Sequence, residues 1–253
     1  MLLTKDFLRA CQVLIRKILL VPVMIIGGWQ KNSFIDYPGK ISCVLFTSGC
    51  NFECPYCHNP DLVKSKPKNV LDLKCVYDFL EARKGLLDGV VISGGEPTLH
   101  EELFLLCKRI HQMGYPVKLD TNGSRPNVIK KLIDEDMIDY IAMDIKTDPY
   151  EYSPLIQKEC NPDHILSSIK IIMESSLTYE FRTTCVKPLV NTDIIEKISL
   201  CIKGATLYVL QQFQKNHVLN PEFFSEKERQ YSHDELLNFK SKAQLWVKKC
   251  IVR

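Results

Sequence analysis

Short β-rich runs and helical runs alternate over nearly the whole chain after residue 40. Ile41 to Thr47, Gly89 to Ser93, Val117 to Asp120, Ile138 to Ile145, Thr178 to Val186 and Thr206 to Gln211 read as strands. Leu71 to Lys84, Glu101 to Met113, a segment opened by Pro126, Ile165 to Glu174 and Thr192 to Cys201 read as helices between them, and Ser232 to Lys249 as a closing helix. Gly114 suits a helix C-terminus and Pro126 a first helical position. Strands each followed by a helix demand parallel pairing with right-handed crossovers, either doubly wound or barrel-like. The polar punctuation favours the barrel. Ser48-Gly49-Cys50, Gly94-Gly95-Glu96, Asp120-Thr121-Asn122-Gly123 and Asp144-Ile145-Lys146 all fall at C-terminal ends of strands. A βα-barrel gathers its active site there. The expected fold is α/β, a partial (β/α)6 TIM-like barrel of parallel strands.

No repeat, long linker or composition break divides the chain, so residues 24–253 read as a single domain. Residues 1–23 read as an extension, either helical or a non-native start ahead of Met24. The apolar run Ile18 to Ile26 is interrupted by Pro22 and far shorter than the about 20 residues of a membrane span. It also lacks a small-residue cleavage site, so a cytoplasmic protein is expected. A net charge of +3 is too balanced to imply a nucleic-acid or membrane partner. Eleven cysteines, an odd count, make a poor disulfide framework. Eight of them stand mostly alone among apolar residues and read as reduced core thiols.

The other three crowd together as Cys50-x-x-x-Cys54-x-x-Cys57 in the segment GCNFECPYCHNP. Gly49 and Pro55 favour a loop that can wrap an inorganic centre. Structural zinc wants four protein ligands. Three cysteines can hold a [4Fe-4S] cluster while leaving one iron free of protein, unlike ordinary four-cysteine clusters. A Cys₃His zinc site through His58 competes, although His58 adjoins Cys57 and would have to turn back sharply. A catalytic zinc with three protein ligands also stays open.

This spacing, with Tyr56 before the last cysteine, resembles the radical S-adenosylmethionine (radical SAM) superfamily. Within it the chain is similar to glycyl-radical-enzyme activating proteins, most of all those serving anaerobic ribonucleoside-triphosphate reductase. The matching stretches are Gly27 to Lys31, Ser33 to Gly39, Phe46 to Phe52, Cys54 to Pro60, Ser93 to Thr98, Asp120 to Gly123 and Met143 to Lys146. The likeness runs from about residue 24 to about residue 215. It implies a partial barrel and one cluster on Cys50, Cys54 and Cys57. The free iron chelates S-adenosyl-L-methionine, whose reductive cleavage gives a 5′-deoxyadenosyl radical that takes hydrogen from a glycine of a partner enzyme. An electron donor such as flavodoxin or ferredoxin is implied as well. The alternatives are an activase of the pyruvate formate-lyase type or a radical enzyme acting on a small molecule.

The resemblance also suggests roles for single residues. Gly94, Gly95 and Glu96 would meet the methionyl ammonium, against the plain reading of a tight βα turn. Asp120, Asp144 and Thr121 would supply a monovalent-cation site and ribose contacts, against helix capping. Arg182, a charge in a buried strand, needs an anionic partner and would stand near the cofactor carboxylate. Lys146 would do similar work, or be a solvated lysine. Asp36-Tyr37-Pro38-Gly39 would lie beside the partner's glycine loop, or be only a turn. Gln211 and Gln212 would line the cavity or be exposed. His100, His111, His164, His217 and His233 are isolated in sequence and read as surface or satisfied histidines rather than ligands. Absence of further clustered cysteines around the triad and after residue 200 implies one cluster only.

Overall fold

The computed structural model describes residues 24–150, 152, 156, 161–215, 217–225 and 229–253. The expected extension over residues 1–23 lies outside them. The frame is one sheet of eight strands in sequential order, from β1 to β8. β1 (Ile26–Tyr37) runs antiparallel to β2 (Lys40–Thr47). From β2 onward every pairing is parallel: β3 (Gly89–Gly94), β4 (Val117–Thr121), β5 (Tyr140–Asp144), β6 (Thr178–Cys185), β7 (Tyr208–Gln212) and β8 (Cys250–Val252).

The helices are α1 (Pro60–Val63), α2 (Leu73–Ala82), α3 (Leu103–Gln112), α4 (Pro126–Asp134), α5 (Pro162–Glu174), α6 (Thr192–Cys201) and α7 (His233–Ala243). Their starts are fixed by side chains the sequence supplies. Asp72, Asn161 and Asn191 each accept a backbone N–H of the first turn, and Ser232 with Glu235 forms a reciprocal capping box. Pro126 and Pro162 stand at helix starts, where no N–H is missed. The main core lies between the helices and the outer sheet face, with Leu45, Ile92, Leu119, Ile141 and Phe181 among its buried residues. A smaller cluster of Tyr37, Val44, Val91, Tyr140 and Ala142 fills the inner face.

Two edge strands were not foreseen. β1 is broken by Gly27-Gly28 and by the polar run Lys31-Asn32-Ser33, and its pairing with β2 carries register shifts, so no period-2 pattern announces it. β8 has three residues and begins directly after the segment read as the closing helix. That helix stops at Ala243, and the chain turns back to pair with β7. The six inner parallel strands match the expected (β/α)6 barrel, and with no β1–β8 pairing the barrel stays open.

The β1–β2 turn is Pro38-Gly39, with Gly39 at φ +72. Tyr37 pairs with Lys40 there, whereas Ile26 pairs with Thr47 at the other end. Seven residues of β2 separate the ends, about 23 Å at strand spacing. The turn therefore lies on the rim opposite Thr47 and Gly94.

Candidate active site

The C-terminal ends of β2 to β6 surround a cavity of about 230 Å³. Cys50, Cys54, Tyr56, Cys57, Gly94, Gly95, Glu96, Asp120, Thr121, Asp144, Lys146 and Arg182 all line it, so the sequence brings these twelve residues to one place. Gln211 and Gln212 are not among its walls; Gln212 instead donates to the Tyr231 carbonyl.

The cysteine loop leaves β2 and is tied down by backbone on every side. Gly49 N–H donates to Leu62 O at 2.7 Å and Glu53 N–H to Ile156 O at 2.8 Å. Leu219 N–H reaches Cys57 O at 2.9 Å and Asn220 N–H reaches Pro55 O at 3.0 Å. The β3 loop closes against it, with Glu96 N–H donating to Gly49 O at 2.8 Å. A Cβ on Gly95 would stand 2.0 Å from that same Gly49 oxygen, and one on Gly94, at φ +113, would stand 2.5 Å from Thr47 N. The two glycines are thus required by the chain's own packing. A larger residue at 95 would therefore strike the cysteine loop itself.

Burial pushes Cys50 up to about 12 and Cys54 up to about 11, and raises Cys57, while the charge of Lys146 opposes the rise at all three. Phe52 N–H points at Cys50 Sγ at 3.4 Å and Asn59 N–H at Cys57 Sγ at 3.5 Å. Amides aimed at sulfur stabilise thiolates and tune iron–sulfur centres. Among the described residues no three His, Cys, Asp or Glu side chains converge as donors for one metal ion. A mononuclear zinc needs such convergence at about 2.3 Å per sulfur. A polynuclear cluster spreads its cysteines over separate irons, and three cysteine thiols lining one cavity suit a [4Fe-4S] group. Tyr56 is buried beside Cys54, and its hydroxyl is directed at the Cys54 thiol.

Opposite the loop stands a charged wall. Arg182 Nε donates to Asp144 Oδ1 at 2.6 Å, and its Nη1 to Asp120 Oδ2 at 3.3 Å. Lys146 Nζ donates to Asp144 Oδ2 at 2.8 Å, and Lys118 Nζ to Asp120 Oδ1. Burial alone would raise both carboxyls. Arg182 with Lys118 outweighs it at Asp120, and Arg182 with Lys146 outweighs it at Asp144, so both are held below the usual carboxylate range. Neither aspartate caps a helix, and Lys146 is not solvated. Both carboxylates are paired with the chain's own cations in this arrangement.

Glu96 turns inward. Burial raises its pKa, against hydrogen bonds from Thr98, Asn122 N–H and Thr121. Thr121 Oγ1 donates to it at 2.7 Å and Asn122 N–H at 2.6 Å, which fastens the β3 loop to the β4 loop. Sequence reasoning missed Lys118, although the spacing Lys118-x-Asp120 puts both on one strand face. It also passed over Asn51, which donates to Ser124 Oγ at 2.9 Å and accepts from Asn122 at 3.0 Å. One smaller reading changes too: Cys75 is exposed rather than a core thiol. His100 and His111 are satisfied by the Ser48 carbonyl and Asp139.

The family model described as the radical SAM superfamily matches residues 44–201. The chain belongs to that superfamily. A Methanocaldococcus jannaschii protein named as a glycyl-radical enzyme activating enzyme is 36% identical over 208 residues, covering 79% of this chain and 84% of that one. This radical SAM chain is therefore an enzyme of the glycyl-radical-enzyme activating group. A Listeria monocytogenes pyruvate formate-lyase-activating enzyme is 34% identical over 146 residues, covering 51% of this chain and 56% of its own. In fold, the chain is similar to Streptococcus suis SuiB, solved bound to S-adenosylmethionine, with a TM-score of 0.62 at 13% identity, over 81% of this chain and 48% of SuiB. The superfamily uses a [4Fe-4S] cluster and S-adenosylmethionine. No helix among the described residues is long and apolar enough to cross a membrane.

Proposed function

We propose that this radical SAM activase holds its cluster on Cys50, Cys54 and Cys57 and installs a glycyl radical on an anaerobic ribonucleoside-triphosphate reductase. The observation that carries the reading is the convergence of those thiols with Gly94, Gly95, Asp120, Asp144, Lys146 and Arg182 on one cavity at the strand ends. When bound, the cluster and S-adenosylmethionine supply an electron and a 5′-deoxyadenosyl radical able to remove hydrogen from a partner glycine. The chain's own part is placement. The Gly94–Gly95 backbone lets the methionyl end approach closely. Arg182 and Lys146 face its carboxylate, and Asp120, Thr121 and Asp144 surround its remaining polar groups. Tyr56 packs beside Cys54. Residues 24–253 act as one domain, and a flavodoxin or ferredoxin delivers the electron in the cytoplasm.

The open barrel supports a protein substrate, because the partner's loop would then also serve as the lid that excludes water. A pyruvate formate-lyase type target is the second reading, favoured by the Listeria likeness. The test is anaerobic: reduce the cluster, add S-adenosylmethionine, and record paramagnetic resonance with each candidate partner. A glycyl doublet appearing only with the reductase is expected. A doublet only on pyruvate formate-lyase moves the target, and rapid partner-free turnover of a small metabolite overturns the activase reading.

A further inference from the structure

Val44, Val91, Lys118 and Tyr140 are successive register partners across β2 to β5. Three are apolar or aromatic, and the fourth is a lysine only 1% exposed. An ammonium stripped of water is costly and persists only where it is paired. Lys118 Nζ lies 5.7 Å from the Tyr140 ring centroid and donates to Asp120 Oδ1. It sits two residues below Asp120 on β4, deeper in the barrel than the cavity it does not line.

The other Asp120 oxygen accepts from Ser93 Oγ at 3.1 Å and from Arg182 Nη1 at 3.3 Å. The second distance is long for an ionic hydrogen bond, whereas Arg182 Nε holds Asp144 at 2.6 Å. Arg182 Nη1 is also 4.0 Å from Glu180, which Arg253 and Tyr140 already engage. Arg182 Nη2 donates to no group among the described residues, while the side chain lines the cavity. Lys118, Arg182 and Lys146 face Asp120 and Asp144, and Arg253 balances Glu180, so one positive charge is left over in the wall. Glu96, the remaining buried carboxylate at the cavity, is committed to Thr98, Thr121 and Asn122.

We propose that Lys118 is a positioning residue: it draws Asp120 toward the barrel floor and so keeps one edge of the Arg182 guanidinium free for the carboxylate of an amino-acid-bearing ligand. Without Lys118, Asp120 would have Arg182 as its only cation, and a bidentate pair would consume the free edge. The inference rests on the activase reading, in which that ligand is S-adenosylmethionine.

The test is anaerobic calorimetry on cluster-loaded protein with S-adenosylmethionine and with its decarboxylated analogue. Lys118→Met should weaken S-adenosylmethionine about tenfold, equivalent to ~1.4 kcal/mol, and leave the analogue within about twofold. Lys118→Arg should restore the preference. Should Lys118→Met fail to fold, Lys118→Gln keeps a donor to Asp120 without the charge and should show the same selective loss. Equal weakening of both ligands, or of neither, in a folded variant would make Lys118 purely structural and overturn the proposal. Failure of the parent protein to bind S-adenosylmethionine at all would instead remove the activase reading.

Discussion

The two walls of the cavity are held by opposite means. The cysteine loop is fixed by main chain: amides from residues 49, 53, 96, 219 and 220 bind its carbonyls or are bound by their neighbours'. Its thiols are buried, raised in pKa, and wait for a partner. The facing wall is fixed by side chains that satisfy one another as ion pairs. One wall is a mould completed by what it receives, and the other is braced by its own ion pairs with one guanidinium edge to spare. Substitutions should therefore act differently on the two, on composition in the first and on folding in the second.

The largest effect should come from Cys54→Ser. A neutral hydroxyl replaces a thiolate, so iron and sulfide should fall from near four each per chain to near zero, while the metal-free melting temperature changes little. Full iron content in that variant would erase the distinction between the walls.

Arg182→Met should do the reverse. It leaves Asp120 and Asp144 short of a buried partner, at a cost of about 3 kcal/mol, read as a lower urea midpoint in metal-free protein. Unchanged stability would mean that the wall is not self-supporting.

Gly95→Ala tests the seam between the walls. The new methyl would meet the Gly49 carbonyl at 2.0 Å, so a loss of about 1–3 kcal/mol is expected together with reduced iron loading. A fully loaded, equally stable variant would mean the loop yields easily.

The smallest expected effect is in pH dependence, where the walls should part in direction. Asp120 and Asp144 have lowered pKa values, so their stabilisation is present above their unfolded range and is lost as pH falls below about 4. Cys50 and Cys54 are raised to about 12 and about 11. Their contribution is present below the unfolded thiol pKa of about 8.5 and is lost as pH rises through 11 to 12. Urea midpoints of metal-free protein across pH should show both limbs. Arg182→Met should flatten only the acid limb, and Cys50→Ala only the alkaline one.

This division also explains what the sequence made legible. Cys50, Cys54 and Cys57 are close in sequence, so spacing alone announces them. The inner strands β2 to β7 announce themselves through apolar runs ended by polar residues. Asp120, Asp144 and Arg182 could be placed at the cavity from strand ends and family resemblance, yet their mutual pairing could not, because it depends on the register of three strands. Lys118 was passed over because a lysine in a strand is ordinarily a solvent-facing residue, and only the inner row shows that no solvent is there. β1 escaped because its glycines and register shifts hide the alternation that marks a strand.

The bracket on the cysteine loop has a consequence in time. Cys54 and Cys57 leave the ribosome long before Leu219 and Asn220, the residues whose amides close over Cys57 and Pro55. About 160 residues at roughly 5–20 residues per second separate the two events by some 10–30 s. During that interval the nascent loop is open on one side.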